Sequence, residues 1–422
     1  MSTTTHRDND VDASPTPRAG RLERPAGRLP SPRAVFADLG SYQVVNGVIG
    51  VLFSITGPIP IIVAVGRGGG LSAEQIASWI FGVLAFNGLL TIVMSWTFRQ
   101  PLGFFWTIPG TVVVGTALQS LTWPEVIGAY VLTALLVLAI GLTGKVDRVM
   151  SLLPMPVVMA MVAGVFLGFG IDLVTAVENN AAIAAPMVAI FFLATALPSV
   201  ARFVPPILGA LAVGVVGVLA TGAVDGGTVS GPWLAAPVFT APQFTWSAAI
   251  ELVIPLALTV VVVQNGQGMA VLREVGHRPP MNLVTVVCGL VSLPAAMVGA
   301  VSTCLTGPTN ALLTASGQRR RHYTAALVCG ALAIIVGLLA PGFVRLLLAV
   351  PVAFVAALGG LAMLRALEGA FRAAFSGGHV LAALITFLVT VAEVTFLNIG
   401  AAFWGLVVGV AVHILLARGP QS

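Results

Sequence analysis

Two short apolar stretches of the chain each hold a proline beside a glycine, and polar side chains cluster around both. The first reads Phe104, Phe105, Trp106, Thr107, Ile108, Pro109, Gly110, Thr111. The second opens on Ser302 and Thr303 and continues through Thr306, Gly307, Pro308, Thr309 and Asn310. Proline removes a backbone donor and glycine loosens the chain, so a helix cannot run unbroken through either stretch. Broken backbone at membrane depth survives only inside protein or along a cavity. A half-helix is expected to begin near Thr111 and another near Thr309, with free amides aimed at a shared cavity, and such ends attract anions. A third cluster, Gln264, Asn265 and Gln267, closes the apolar run Val260 to Val263. The expected substrate-binding set is therefore Phe105, Trp106, Thr107, Thr111, Ser302, Thr303, Thr306, Thr309, Asn310, Gln264, Asn265 and Gln267, joined by Asn46 from the first apolar segment. None is a carboxylate. A cavity of amides and hydroxyls suits an anion, which a fixed negative charge would repel. The competing reading is packing: amides glue helices together, and hydroxyls such as those of Ser54 and Thr56 bond their own helix.

A charge buried in lipid is costly and therefore informative. Glu251, Glu393 and His413 lie within apolar runs and are the candidates for proton coupling, with helix capping and interfacial exposure as the competing roles. Enzymatic chemistry finds no foothold. The chain has no H-E-x-x-H, no G-x-S-x-G and no G-x-x-x-x-G-K-[ST] motif, which argues against an intramembrane enzyme and an ATP-driven pump. Cys288, Cys304 and Cys329 lack C-x-x-C spacing and read as packing residues, so neither a metal nor a cofactor is expected.

The elements that hold these clusters must live in lipid. Of 422 residues 58% are hydrophobic and 8% charged, and the mean hydropathy is +1.02. The net charge of +5 sits in short loops between apolar runs, where it marks topology rather than a nucleic-acid surface. Seven runs able to span or half-span a ~30 Å hydrocarbon core occupy about 40–65, 73–97, 104–118, 124–144, 154–175, 180–199 and 203–222. Seven more occupy about 247–268, 282–298, 303–315, 323–340, 343–366, 378–396 and 398–416. With both termini cytoplasmic, 18 of the 20 Lys and Arg fall on the cytoplasmic side and only Arg67 and Arg345 outside. Missing one span would invert every later loop, so the charge pattern supports fourteen. Residues 1–39 are polar and rich in Pro and Arg, and read as a disordered cytoplasmic tail. Residues 223–246 form an external loop and 418–422 a cytoplasmic C-terminus.

The two halves, 40–222 and 247–417, echo each other. Pro156 in Leu-Leu-Pro-Met-Pro-Val-Val pairs with Pro351 in Leu-Ala-Val-Pro-Val-Ala, and Pro109 pairs with Pro308, at offsets of 195 and 199. Repeats with an odd number of spans must be inverted relative to each other, which is a transporter architecture. An all-α integral membrane protein follows, with segments 3 and 10 broken.

Between about 35 and 417 the chain resembles the benzoate:proton symporters often called BenE. The resemblance is carried by Gly-Phe-Phe-Trp-Thr-Ile-Pro-Gly-Thr at 103–111 and by Gln-Asn-Gly-Gln-Gly-Met-Ala-Val-Leu at 264–272, running on to Arg-Pro-Pro-Met-Asn at 278–282. It implies the fold of nucleobase permeases and sulfate transporters, with a core of segments 1–4 and 8–11 and a gate of 5–7 and 12–14. It also implies import of benzoate or a similar small organic carboxylate with a proton, by elevator-like alternating access across a bacterial inner membrane, and a homodimer joined through the gate. Gln264 stands where nucleobase permeases carry an acidic residue, a departure from a uracil or xanthine site. Segment 10 departs from the benzoate symporters' usual Asn-Leu-Ala-Ala-Ile-Thr-Ala-Ala. A uniporter or exchanger for another small anion, or a nucleobase permease, is the alternative within the same fold.

Overall fold

The computed structural model describes residues 22–25, 29–151, 154–197, 206–224, 231–315, 317–376, 380–392, 396 and 401–417. Glu393 and residues 418–422 lie outside the described residues. Segment 1 is Ser41–Thr56, continued past Gly57 by Pro58–Gly68, and segment 2 is Ala73–Phe98. Segments 4 to 7 are Trp123–Leu142, Met155–Asn179, Ala181–Ala196 and Pro206–Ala220. Segment 8 runs from Trp246 to Glu274. Segments 9 and 11 are Met281–Met297 and His322–Leu338, and segments 12 to 14 are Val352–Phe375, Val380–Val391 and Ala401–Ala417. Seven of the described helices are long and apolar enough to cross a membrane. Helix starts follow ordinary capping chemistry: Ser72 and Gln75 form a reciprocal box before segment 2, and Thr122 and Glu125 do so before segment 4.

The helices pack as two groups. Segment 2 lies on 11, 4 on 9, and 1 on both 10 and 11, whereas 5 lies on 12 and 13, 6 on 7, and 13 on 14. An inverted repeat equates segment 2 with 9 and 11 with 4, so the 2–11 and 4–9 pairs are one contact made twice. Both crossings rest on glycine. A Cβ on Gly88 would sit 2.6 Å from the Gly330 carbonyl, and one on Gly289 would sit 2.5 Å from the Leu138 amide. Backbone can approach that closely only where side chains are absent.

Segments 3 and 10 show what the all-α expectation omitted. Each opens with three extended residues, Phe104–Trp106 (β1) and Thr303–Leu305 (β2), before its half-helix, Ile108–Ala117 or Gly307–Leu313. The strands pair antiparallel, Phe104 with Leu305, Phe105 with Cys304 and Trp106 with Thr303. The half-helices begin a few residues earlier than expected, because Thr107 and Thr306 take extended backbone as N-caps and Pro109 and Pro308 fall in the first turn, where no N–H is needed.

Two further expectations are corrected. The run expected at 343–366 divides into Ala340–Ala349 and segment 12, since Pro351 holds Val350 extended. Its counterpart, Val146–Ser151, precedes segment 5, so each repeat joins its two groups through a short helix. The tail expected to be disordered over 1–39 is tied down where it is described. The Glu23 carboxylate accepts from the Asn282 and Leu283 amides at 3.1 and 3.0 Å, capping segment 9. The Pro30 carbonyl accepts from Trp96 Nε1 at 3.0 Å, and Asp38 accepts from the Tyr323 hydroxyl at 2.8 Å. Residues 1–21 and 26–28 lie outside the described residues. At the opposite face, the loop after residue 230 crosses the ends of segments 2, 4, 9 and 11, its backbone amides donating to the Ser78 hydroxyl oxygen and to the Pro124, Met297 and Leu338 carbonyls.

Candidate functional site

The crossing of segments 3 and 10 is held by amides. Asn310 is fully buried, and its Oδ1 accepts from the Gly103 amide at 2.9 Å. Its Nδ2 donates to the Gly103 carbonyl at 3.0 Å and to the Thr306 carbonyl at 2.6 Å. Asn265 does the same from segment 8, its Oδ1 accepting from the Leu305 amide at 2.8 Å. Gly268 lets segment 8 lie against β2, since a Cβ there would stand 2.5 Å from the Leu305 carbonyl. Ser302 contributes its carbonyl, which accepts from the Thr107 amide at 3.1 Å. Thr107 Oγ1 caps the half-helix by accepting from the Gly110 amide at 3.1 Å, and the Thr111 hydroxyl donates to the Thr107 carbonyl at 3.0 Å. Asn310, Thr107 and Thr111 thus spend their polar groups on the scaffold, whereas Asn265 spends its Oδ1 there and its buried Nδ2 has no partner within the protein.

Segment 8 widens into a π-helix over Thr259–Gln264 before resuming an α-helical course at Asn265. Single wide turns of this kind recur at functional sites because they rephase the side chains that follow. Here Asn265 is bonded to β2 while its neighbour Gln264 lines a cavity of about 1150 Å³. The cavity lies between the two helix groups. Gln264, Gln267, Ile108 and Pro308 line it from the first group, and Met159, Phe166, Phe191 and Leu361 from the second. Arg273, Arg365 and Asp147 line it as well. On the loop after segment 8, His277 Nε2 lies 3.2 Å from His322 Nδ1. Burial, then the neighbouring His322 and Arg319, push His277 down to about 4, so at neutral pH it adds no positive charge to this face.

Beside the cavity, and sharing Phe53, Ile108 and Pro308 with it, a narrow recess is lined by Phe105, Trp106, Thr306, Thr309, Ser54 and Pro58. Several buried polar atoms here have no partner within the protein: Gln264 Oε1 on the cavity wall, and Trp106 Nε1 and Thr306 Oγ1 on the recess wall. An unmet buried polar group costs about 1–3 kcal/mol, so each of these atoms has hydrogen-bonding capacity that the protein itself does not use. Ser302 Oγ and Thr303 Oγ1 are also buried without partners but line neither space. Gln267 is exposed on the cavity wall beside Gly307, and Asn46 is buried in segment 1 away from the lining. Ser54 and Thr56 bond the carbonyls of Gly50 and Leu52 in their own helix.

Of the three ionisable candidates, Glu251 is 4% exposed and accepts from the Ser120 hydroxyl at 3.2 Å, at the far end of segment 8 from Arg273. His413 is half-buried in segment 14, outside both spaces, and Glu393 lies outside the described residues. Sequence reasoning missed Phe53, Ile108 and the methionines of the cavity wall as lining residues, because nothing in an apolar run distinguishes the residue that faces a cavity from its neighbours. Among the described residues no cluster of His, Cys, Asp and Glu could hold a metal.

Comparison with known proteins agrees with this geometry. An Acinetobacter baylyi protein, "Benzoate membrane transport protein", is 28% identical over 91% of this chain and 98% of its own. "Inner membrane protein YdcO" of Escherichia coli K12 is 28% identical over 88% and 94%. The transmembrane domain of a cyanobacterial bicarbonate transporter, BicA, superposes with a TM-score of 0.56 at 15% identity, over 91% of this chain and 98% of that one, so the all-helical inverted-repeat transporter fold is shared. The family model for BenE, the benzoate membrane transport protein, matches residues 37–415, and the chain belongs to that family of membrane transporters.

Proposed function

We propose that the protein imports benzoate or a similar aromatic carboxylate with a proton across the bacterial inner membrane. The observation that carries this reading is the set of unpartnered polar groups where the cavity meets the recess. The Thr306 hydroxyl and the Trp106 indole N–H are donors, and the Gln264 amide can present its NH₂ by a simple flip. No buried carboxylate lies among them. A carboxylate would find these donors at the recess, and its ring would extend past Phe53 and Ile108, which line both spaces, into the cavity.

Positive charge supplies the orientation. Arg273, Arg278, Arg319, Arg321 and Arg365 lie on the side to which the cavity opens, while Arg67 and Arg345 bond the Leu348 and Pro232 carbonyls on the other. The Arg-rich side is cytoplasmic on the positive-inside rule, so the cavity faces inward. Outward access then follows from movement of segments 1–4 and 8–11 against 5–7 and 12–14, between which this cavity lies. Exposed Leu384, Leu388 and Ile414 give the second group an apolar face in keeping with a homodimer through it.

Glu251 is the proton carrier in this reading, as the one buried carboxylate among the described residues. Labelled benzoate uptake into proteoliposomes tests the scheme, corrected against protein-free vesicles because benzoic acid also crosses lipid unaided. An inward proton gradient is expected to drive accumulation in the wild type. Glu251→Gln is expected to abolish gradient-driven accumulation and keep benzoate exchange. Wild-type uptake indifferent to the gradient would rule out symport and leave a uniporter or exchanger. No uptake above protein-free vesicles would rule out benzoate.

A further inference from the structure

The cavity wall has an unusual composition for an apolar surface. Of 422 residues 32 line it, and random placement would put about one of the eleven methionines there. Six are present: Met150, Met155, Met159, Met269, Met281 and Met363. Leucine is far commoner in the chain, yet the lining holds one, Leu361. Generic apolar filling would have reversed that ratio. The methionines also come from every side, since Met155 and Met159 lie on segment 5, Met363 on 12, Met269 on 8, Met281 at the start of 9, and Met150 in the linking helix before segment 5. Met159, Met269, Met281 and Met363 are buried, so these side chains are packed into the wall rather than loose in solvent.

A thioether differs from an isobutyl group in two ways that matter here. Its sulfur is polarisable and makes favourable contacts with aromatic rings at about 5 Å, and its unbranched chain refits around ligands of different outline. We propose that this methionine lining is the surface that recognises the substrate's aromatic ring, selecting aromatic over saturated carboxylates and tolerating ring substituents. The inference rests on the benzoate reading and deepens it: the polar groups at the recess take the carboxylate, and the methionines take the ring. A rival role is mechanical, with flexible methionines easing the slide of one helix group past the other. That role predicts slower turnover for every substrate alike.

The test compares benzoate with cyclohexanecarboxylate, which has a similar size and the same charge but no π system. The triple variant Met159→Leu, Met269→Leu, Met363→Leu conserves volume, so the fold is expected to hold. Its half-saturating benzoate concentration is expected to rise about tenfold, with cyclohexanecarboxylate uptake nearly unchanged and substituted benzoates losing their ability to compete. Equal shifts for both compounds, a fall in maximal rate alone, or no shift at all would overturn the proposal. Should the triple variant lose uptake of both, the three single variants are scored by the same ratio, and an unchanged ratio in all three overturns it too. If the wild type carries cyclohexanecarboxylate as well as benzoate, ring recognition fails and the carboxylate reading stands; if it carries neither, both fall.

Discussion

Gln264→Glu is expected to stop benzoate uptake at neutral pH, the largest functional loss of any single substitution in the site. The two side chains have nearly the same shape, so packing around the π-helical turn changes little. What changes is charge. Gln264 Oε1 is buried on the cavity wall without a protein partner, so a glutamate there would face the incoming carboxylate with little water between them. Two like charges about 4 Å apart repel by about 4 kcal/mol at an effective dielectric of 20, or roughly a thousandfold in affinity. Acidification reverses the effect, because protonating the new glutamate removes the repulsion. Uptake measured as benzoate exchange is therefore expected to be absent at pH 7.5 and to return in part as pH falls. Gln264→Ala loses only a hydrogen bond to a charged group, about 1.5–3 kcal/mol, and is expected to weaken uptake by roughly ten- to a hundredfold. A Gln264→Glu protein that exchanges benzoate near the wild-type rate at pH 7.5 would remove Gln264 from the site.

Asn310→Ala is expected to produce the largest loss of stability. Asn310 belongs to segment 10, yet it satisfies both the donor and the acceptor of Gly103, 207 residues away, and the Thr306 carbonyl besides. Alanine strands the Gly103 amide in a dry interior, at about 1–3 kcal/mol, and leaves the Gly103 and Thr306 carbonyls with only the longer backbone bonds from the amides of Thr306 and residue 310, at 3.3 and 3.4 Å. It also leaves a cavity. The strand pair then loses its clasp, and with it the geometry that starts both half-helices. Thr111→Val is the matched control, because the Thr111 hydroxyl donates only to a carbonyl of its own first turn. Thermal unfolding in detergent is expected to shift markedly for Asn310→Ala and little for Thr111→Val. Equal unfolding temperatures for the two would show that the crossing is held by packing alone.

Much of the fold was legible in sequence because a membrane imposes simple accounting. An apolar run must cross or turn back, and each miscounted span would have thrown Arg99, Lys145, Arg273 and the Arg319–Arg321 run to the wrong side. The paired breaks at Pro109 and Pro308 pointed to the crossing of segments 3 and 10 for a similar reason, since broken backbone is tolerated only inside protein or along a cavity. The strands were not legible. Phe104–Trp106 and Thr303–Leu305 are too short to show a period of two, and each is a strand only because the other lies beside it. Side-chain roles were the hardest to read. Gln264 and Asn265 are adjacent amides after one apolar run, and which of them faces the cavity depends on a π-helical turn that no spacing rule signals. Asn310 had the same appearance as Thr306, yet one is spent on backbone and the other is left open. The methionines are spread from residue 150 to 363 and gather only when segments 5, 8, 9 and 12 pack. The tail's placement follows from free amides at the start of segment 9, which composition alone could not show.

The most direct test of an aromatic carboxylate site at this crossing is a structure with 4-bromobenzoate bound, its bromine located by anomalous scattering. The carboxylate is expected within hydrogen-bond reach of Gln264 and of Thr306 or Trp106, with the bromine directed into the methionine-lined cavity. Bromine at a lipid-facing surface, or a carboxylate turned toward Arg273 and Arg365 with the recess empty, would contradict it.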